Sequence, residues 1–96
     1  MADYILLMHN DATSNEGDWQ PYLQALQASG RFRGGSALGG GECVRKAGPL
    51  APLSAGLTGF IRVEADDLVQ VRALLAGNPV YEAGGTVEIR ELPQTD

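Results

Sequence analysis

The chain has 96 residues, of which 44% are hydrophobic and 20% are charged, a composition typical of one folded domain rather than a disordered segment. Its formal net charge of -5 argues against a nucleic-acid or anionic-membrane surface, because both require clustered Lys and Arg side chains. The longest apolar run, residues 4–8, is too short to span a bilayer or to form a signal peptide. We therefore expect a single cytoplasmic domain over residues 1–96, with a polar tail from about residue 93.

A domain of this size has a thin margin of stability. Apolar burial at about 25 cal/mol/Å² roughly balances the cost of ordering the chain, about 1.5 kcal/mol per residue. A partner subunit or a bound ligand would then supply stability that the monomer lacks. On these grounds we expect a homodimer.

The first elements in the chain are a strand and a helix. The continuous apolar run at residues 4–8 is typical of a central strand covered on both faces. After a polar loop, four apolar residues recur with helical spacing: Trp19, Tyr22, Leu23 and Leu26. Asp18 is a suitable N-cap for this helix, and Gly30 stands where a left-handed C-terminal residue is favoured.

Residues 31–56 are rich in glycine and are predicted to form a hairpin. Residues 32–38 are assigned to its first strand, and residues 42–47 to the returning strand. Glycines within the first strand indicate bulges, or a close approach by a ligand or another backbone segment.

The last part of the chain is predicted to form strand, helix and strand. Residues 58–65 alternate strictly between apolar and mostly polar positions. Asp66 or Asp67 then caps a helix that is closed by Gly77 and broken by Pro79. Residues 86–92 alternate again and are predicted as the final strand.

This order of elements predicts an α+β fold of the ferredoxin-like βαββαβ type, with both helices on one face of the sheet. The second face would then carry alternating residues of the two later strands: Phe60, Arg62, Glu64, Glu88 and Arg90. That face is available to solvent, a ligand or another subunit.

Residues 59–66, which read GFIRVEAD, and residues 78–93, from Asn78-Pro79 to Pro93, resemble the C-terminal half of the YCII-related proteins. The strand at residues 4–8 and the helix that opens near Trp19 are similar to the beginning of that family. The resemblance implies a small bacterial protein with a dimeric α/β barrel fold, in which two ferredoxin-like sheets face one another across a cavity.

The chain departs from the family pattern at functional positions. Many members have Asp-Gly-Pro-Phe before the third main strand, where this chain has Ala-Gly-Pro-Leu at residues 47–50. Members also carry a His on the first helix and an Asp before a Pro, suspected as an acid–base pair. Tyr22 and Asn78 occupy those positions, and neither residue type transfers protons readily near pH 7. The family's suspected catalytic pair therefore does not carry over.

His9 is the single histidine of the chain, and Asp11 follows two positions later. If the strand extends to Asp11, both side chains point to one face, and the carboxylate can fix the imidazole tautomer. His9 and Asp11 are therefore our candidate catalytic residues, with His9 as general base. The alternative is a histidine at a strand end beside an aspartate that forms a turn.

Arg62 and Phe60 are candidate ligand-binding residues on the second face. The planar fork of an arginine suits a carboxylate, and Phe60 would supply an apolar wall. The alternative is that Arg62 and its charged neighbours form cross-strand pairs worth about 0.2–1 kcal/mol each. Ser36 is a third ligand-binding candidate; it lacks the partners and the sharp turn of a serine nucleophile.

No cofactor or metal is expected. The glycines fit neither a phosphate loop nor a dinucleotide fingerprint, because the residues those motifs require do not follow them. One His and one Asp per chain fall short of the usual three or four metal ligands. Cys43, the single cysteine, excludes an intrachain disulfide and is interpreted as buried packing.

Two functional hypotheses follow. The first is a protein that binds a small organic ligand in a cavity between subunits or between sheet and helices. We expect this ligand to be anionic. If it is an enzyme, its chemistry would be cofactor-independent proton transfer, such as isomerisation or elimination. The alternative is a non-catalytic dimeric interaction module.

Overall fold

The computed structural model describes residues 2–53 and 56–94. Within these ranges the chain forms four strands and three helices. In chain order they are β1 (Ala2–His9), α1 (Trp19–Ser29), β2 (Phe32–Ala37), β3 (Leu57–Ala65), α2 (Leu68–Ala73), α3 (Pro79–Glu82) and β4 (Val87–Leu92). Residues 95 and 96 of the predicted tail lie outside the described residues.

The strands form one antiparallel sheet in the order β2-β3-β1-β4. At its centre, Leu6 of β1 lies opposite Ile61 of β3 and Ile89 of β4. This is the ferredoxin-like order, and it confirms both the predicted fold class and the central position of the first strand.

The sheet has one face packed against the helices. Strand alternation sends every second side chain of β1 and β3 into this core. The buried residues of these two strands are Tyr4, Leu6, Met8, Gly59, Ile61, Val63 and Ala65. The predicted two-faced pattern of β3 is therefore confirmed.

None of the described helices packs on the opposite side of the sheet, which we call the open face. The register places on it Ile5, Leu7 and His9 of β1, Phe60, Arg62 and Glu64 of β3, and Glu88 and Arg90 of β4. Apolar residues at its centre are thus bordered by charges.

The boundaries of α1 agree with the prediction. The Asp18 side chain accepts a hydrogen bond from the Gln20 backbone N–H at 3.0 Å, and Gly30 adopts the left-handed conformation with φ 76°. Tyr22 and Leu26 point into the core. Local capping chemistry therefore determines both ends of the helix.

The prediction of a returning hairpin strand after β2 is wrong. Residues 42–47 form no strand, and β2 pairs instead with β3 as an edge strand. Three consecutive glycines at 39–41 and prolines at 49 and 52 disfavour regular strand structure here. Cys43 is half-buried rather than fully buried, and its Sγ lies 3.4 Å from the carbonyl oxygen of Pro52.

The second helical region is divided. The Asp67 carboxylate caps α2 by accepting from the Gln70 backbone N–H, and Gly77 has φ 87°. The predicted end at Gly77 is wrong, because α2 ends at Ala73, and Pro79 does not break it. Pro79 instead begins α3, because the Asn78 side chain accepts from the N–H groups of Val80 and Tyr81. Pro at the first helical position is favourable.

The helices of the described residues are all short. None of them combines the length and the apolar character that a membrane crossing requires.

Candidate functional site

A cavity of about 340 Å³ lies between α1 and the half of the sheet formed by β2 and β3. We call it the helix–sheet cavity. Its lining comprises Met8, Glu16, Trp19, Leu23, Phe32, Gly35, Ser36, Ala37, Thr58, Gly59, Phe60 and Ile61. The volume falls at the lower end of the range of small-molecule sites, about 300–1,000 Å³.

The wall of this cavity is mostly apolar. Trp19 and Leu23 come from α1, and Phe32 comes from the start of β2. Among the lining residues, Glu16 alone carries a charge at neutral pH. The cavity therefore suits a ligand with a hydrophobic body and few polar groups.

Two glycines allow β2 and β3 to approach closely beneath the cavity. A Cβ on Gly35 would lie 2.5 Å from the carbonyl oxygen of Phe60, and a Cβ on Gly59 would lie 3.1 Å from that of Ser36. The pairing also shifts register between Phe32 and Gly35. The prediction that glycine in the first strand marks a bulge or a close approach is confirmed at Gly35, where both occur.

The loop between β1 and α1 is anchored to the turn before β4. The Asp11 carboxylate accepts from the Thr86 backbone N–H at 2.7 Å and from the Thr86 hydroxyl at 2.6 Å. The backbone N–H groups of Thr13 and Ser14 both donate to the carbonyl of Ala83. These bonds hold the loop that carries Glu16.

This arrangement favours the ionised form of the Asp11 carboxyl. The hydrogen bonds from Thr86 hold the pKa of the Asp11 carboxyl below its ordinary value, outweighing a small desolvation effect, and the nearby His9 adds a weaker attraction. The hydrogen-bonded partner of Asp11 is thus Thr86.

His9 lies on the open face and bonds to a residue from the far end of the chain. Its Nε2 is 3.1 Å from Oε1 of Glu88, and the other oxygen of Glu88 accepts from Arg90 at 3.3 Å. The His9 side chain remains 22% exposed. The expectation that Asp11 orients the imidazole is corrected, because Glu88 occupies that position.

Phe60 and Ser36 are among the residues that line the helix–sheet cavity, although strand alternation directs both side chains to the open face. Arg62 does not line the cavity, and its side chain is exposed on the open face. The Ser36 hydroxyl donates to the carbonyl of Ala37 at 2.9 Å.

The predicted ladder of charges across β3 and β4 is not formed. β1 separates these two strands, so Glu64 pairs instead with Arg33 of β2 at 3.0 Å, and Glu88 pairs within β4. Arg62 makes no ion pair with any residue of the described ranges. It is therefore available to an external anion.

Tyr22 and Asn78 are brought together in the core. The Tyr22 hydroxyl donates to the Leu74 carbonyl at 2.8 Å, and burial raises the pKa of its phenol, an effect that the adjacent Asn78 side chain partly opposes. Asn78 is fully buried, and its Nδ2 has no hydrogen-bond partner of acceptable geometry among the described residues. This pair serves packing and capping.

The sequence did not indicate that Glu16 would line a cavity. Glu16 lies in an irregular loop, where no periodic pattern tells which way a side chain points. Trp19 was identified only as a helix residue. The described residues also include no group of three or more His, Cys, Asp or Glu side chains arranged to hold a metal ion.

Comparison with known proteins gives a family match and a similar solved structure. Residues 7–95 match the family of YCII-related domains. Among solved structures, the fold is similar to that of 5-chloro-2-hydroxyhydroquinone dehydrochlorinase from Burkholderia phenoliruptrix AC1100, in complex with 2,5-dihydroxybenzoquinone. The TM-score is 0.56 and the identity 16%, over 97% of this chain and 95% of that chain. A search of curated proteins gave no significant match.

Proposed function

Since the chain belongs to the YCII-related domain family, we propose that it binds a small aromatic molecule in the helix–sheet cavity. The observation that carries this proposal is the cavity itself, about 340 Å³ with Trp19, Leu23 and Phe32 in its wall. Aromatic side chains favour ring-shaped ligands through offset and edge-to-face contacts. The volume suits a molecule of one or two rings.

The similar fold of the dehydrochlorinase supports this ligand class. That protein was solved with a six-membered quinone bound. At 16% identity its reaction does not transfer to this chain, but a fold that holds a compact ring in one member is a sound scaffold for a related ligand in another.

The proposal is tested through Trp19, the single tryptophan of the chain. We expect hydroquinone to shift the indole N–H signal of Trp19 in a ¹H–¹⁵N NMR titration of the intact protein. Ala37→Phe should abolish this shift, because Ala37 lines the cavity and is itself exposed, so that the larger ring projects into the cavity.

Ala25→Phe is the matched control, because Ala25 is exposed on α1 and does not line the cavity. It should leave the hydroquinone titration unchanged. If the Trp19 signal does not respond to any ring compound, or responds equally in the Ala37→Phe variant, the cavity is not a ligand site.

A second candidate function is proton transfer on the open face. The hydrogen bond between His9 and Glu88 favours it, because a carboxylate fixes the tautomer and the orientation of an imidazole. His9 would act as general base, Arg62 would hold an anionic group, and Phe60 would contact the apolar part of the ligand. Asp11 would act at a distance, by anchoring the loop.

This second function predicts measurable enolisation of an aromatic keto acid. We expect the protein to accelerate deuterium exchange at the methylene carbon of phenylpyruvate in D₂O. His9→Ala and Glu88→Gln should remove the acceleration, whereas Glu91→Gln, a change on the same strand but at an exposed residue, should not. No acceleration over buffer would refute it.

We also propose that the protein is a homodimer. If neither ligand experiment succeeds, assembly through the open face becomes the best account of the protein, as a non-catalytic interaction module.

A further inference from the structure

We infer that Glu16 selects the charge of the ligand, so that the helix–sheet cavity takes aromatic molecules bearing a hydroxyl or ammonium group and rejects aromatic carboxylates. This inference rests on the function proposed for the cavity and names its ligand class. It concerns a residue that the sequence patterns did not identify.

The first support is the charge of the lining. Glu16 is the charged member of a wall that is otherwise apolar or neutral. Glu16 is exposed, and its carboxylate beside an apolar wall attracts a cation or a hydroxyl proton and repels another carboxylate. The nearest predicted anion site, at Arg62, lies on the other side of the sheet and cannot compensate.

The second support is the hydrogen bonding of the two lining hydroxyls. The Ser36 hydroxyl donates to the carbonyl of Ala37, and the Thr58 hydroxyl donates to that of Met8. Both hydroxyls thus already have an acceptor, and strand alternation directs Ser36 and Thr58 to the open face, so neither offers a proton to a ligand in the cavity. The indole N–H of Trp19 is the remaining side-chain donor of the lining, and it is neutral. Nothing in the described cavity therefore neutralises a ligand carboxylate.

The third support is the way the loop is held. Ser14 is bonded to Ala83 on one side of Glu16, and Asp18 caps α1 on the other. Glu16 is two residues from each of these fixed points. Its backbone therefore stays beside the cavity, and its exposed side chain lies where the cavity wall meets solvent.

The experiment uses three ligands of nearly equal size: benzylamine, benzyl alcohol and benzoate. Each is titrated into the intact protein while the Trp19 indole N–H signal is followed by NMR. The wild type should bind the amine and the alcohol in preference to benzoate, by about tenfold for a charge-assisted hydrogen bond at a partly solvated site.

Variants of Glu16 separate charge selection from general stability. Glu16→Gln should remove most of the preference, Glu16→Lys should reverse it in favour of benzoate, and Glu16→Asp should largely retain it. Glu91→Gln changes the net charge by the same unit as Glu16→Gln, on an exposed residue outside the cavity, and should leave the preference intact. Melting temperatures should be similar for all of these variants.

The two possible failures are distinct. If ligands bind the wild type and Ala37→Phe blocks them, but Glu16→Gln and Glu16→Lys leave the order of affinities unchanged, the inference about Glu16 is wrong and the cavity function stands. If none of the three ligands binds the wild type, the cavity function and the inference fail together.

Discussion

Asp11 shows how a polar residue near a histidine can serve the backbone instead. Its carboxylate accepts two hydrogen bonds from Thr86, one from the main chain and one from the side chain. These two hydrogen bonds tie the loop after β1 to the residue before β4, and side-chain oxygens commonly make such bonds to the backbone at turns. Asp11 thus contributes to the site by holding Glu16 and His9 in place.

The lowered pKa of Asp11 predicts a pH-dependent contribution to stability. The folded state favours the ionised carboxylate, so this contribution is present above the ordinary aspartate pKa of about 3.9 and is lost as pH falls through the lower folded value. Asp11→Asn should therefore lower the melting temperature at pH 7 and flatten its acid dependence below pH ~4. Thermal melts from pH 7 to acid check this.

Asp66→Asn is the control for this measurement, because Asp66 is exposed and no described residue bonds to its carboxylate. It should reproduce the wild-type acid dependence. Equal acid dependence in the wild type and in Asp11→Asn would contradict the role assigned to Thr86.

The raised pKa of Tyr22 predicts that its contribution to stability is lost at high pH, whereas that of Asp11 is lost at low pH. Burial raises the pKa of the Tyr22 phenol, so the fold favours its neutral form. That stabilisation is present below the ordinary tyrosine value of about 10 and is lost as pH rises through the folded value. Tyr22→Phe should cost about 0.5–1.5 kcal/mol at pH 7, by removing the bond to Leu74, and should reduce the alkaline loss.

Urea unfolding at pH 7 and at high pH measures both effects. Tyr81→Phe, at a half-exposed tyrosine of α3, should change neither. An alkaline stability loss in Tyr22→Phe as large as in the wild type would show that another group titrates.

The residue type alone identified His9 as a candidate general base, but the fold was needed to identify its carboxylate partner. Glu88 is 79 positions away in sequence, and the pairing of β1 with β4 brings the two side chains to 3.1 Å. Asp11, which is near in sequence, lies beyond the end of β1 and follows the loop. Sequence proximity therefore suggested the wrong carboxylate.

Elements with local signals were predicted well. α1 has an N-cap at Asp18 and a left-handed glycine at Gly30, and β3 alternates over its whole length. The prediction of a strand at residues 42–47 was wrong, because a hairpin strand needs a partner, and strand pairing is not encoded in a few residues. The short helix α3 was missed because its four residues show no periodicity, although Asn78-Pro79 is a favourable start.

At the scale of one strand, Gly35 should be sensitive to substitution. A methyl group at Gly35 would meet the Phe60 carbonyl at 2.5 Å, and β2 would have to move away from β3. We expect Gly35→Ala to destabilise the fold by about 1–3 kcal/mol, the usual cost of overpacking. Gly39→Ala, with no atom within 4 Å and an ordinary φ, should be close to neutral in the same denaturation experiment.

Two leucines of α1 should differ in their contribution to stability. Leu26 is 3% exposed in the core, whereas Leu23 is half-buried and faces the helix–sheet cavity. We expect Leu26→Ala to cost about 2–5 kcal/mol and Leu23→Ala distinctly less, because the side chain of Leu23 has fewer packing partners to lose. Equal losses on urea unfolding would mean that the cavity is closed in solution.

At the scale of the whole molecule, the sheet has a buried face covered by the helices and an open face without them in the described residues. Because β1 is central, its alternate residues supply both the buried core and the open face. Ile5 and Leu7 are half-buried in the single chain, with arginines and acids around them. An apolar centre with a charged border is the usual anatomy of an interface between subunits.

This arrangement predicts a homodimer formed through the open face. A face-to-face contact of two sheets would cover Ile5, Leu7 and Phe60, and it would supply stability that a chain of this size needs. Light scattering across a dilution series should give twice the chain mass at micromolar concentration. A compact, stable monomer throughout that range would contradict the prediction.

Leu7→Glu locates the interface. It places a charge at the apolar centre of the open face, opposite Phe60 and Glu88, and should shift the dimer towards monomer at equal protein concentration. Val69→Glu introduces the same charged residue on α2, at a side chain that is 75% exposed and outside the open face. It should leave the dimer intact. Circular dichroism must show both variants folded. If Leu7→Glu folds and dimerises like the wild type, the subunits associate through another surface, and the open face is left free for the ligand chemistry of His9 and Arg62.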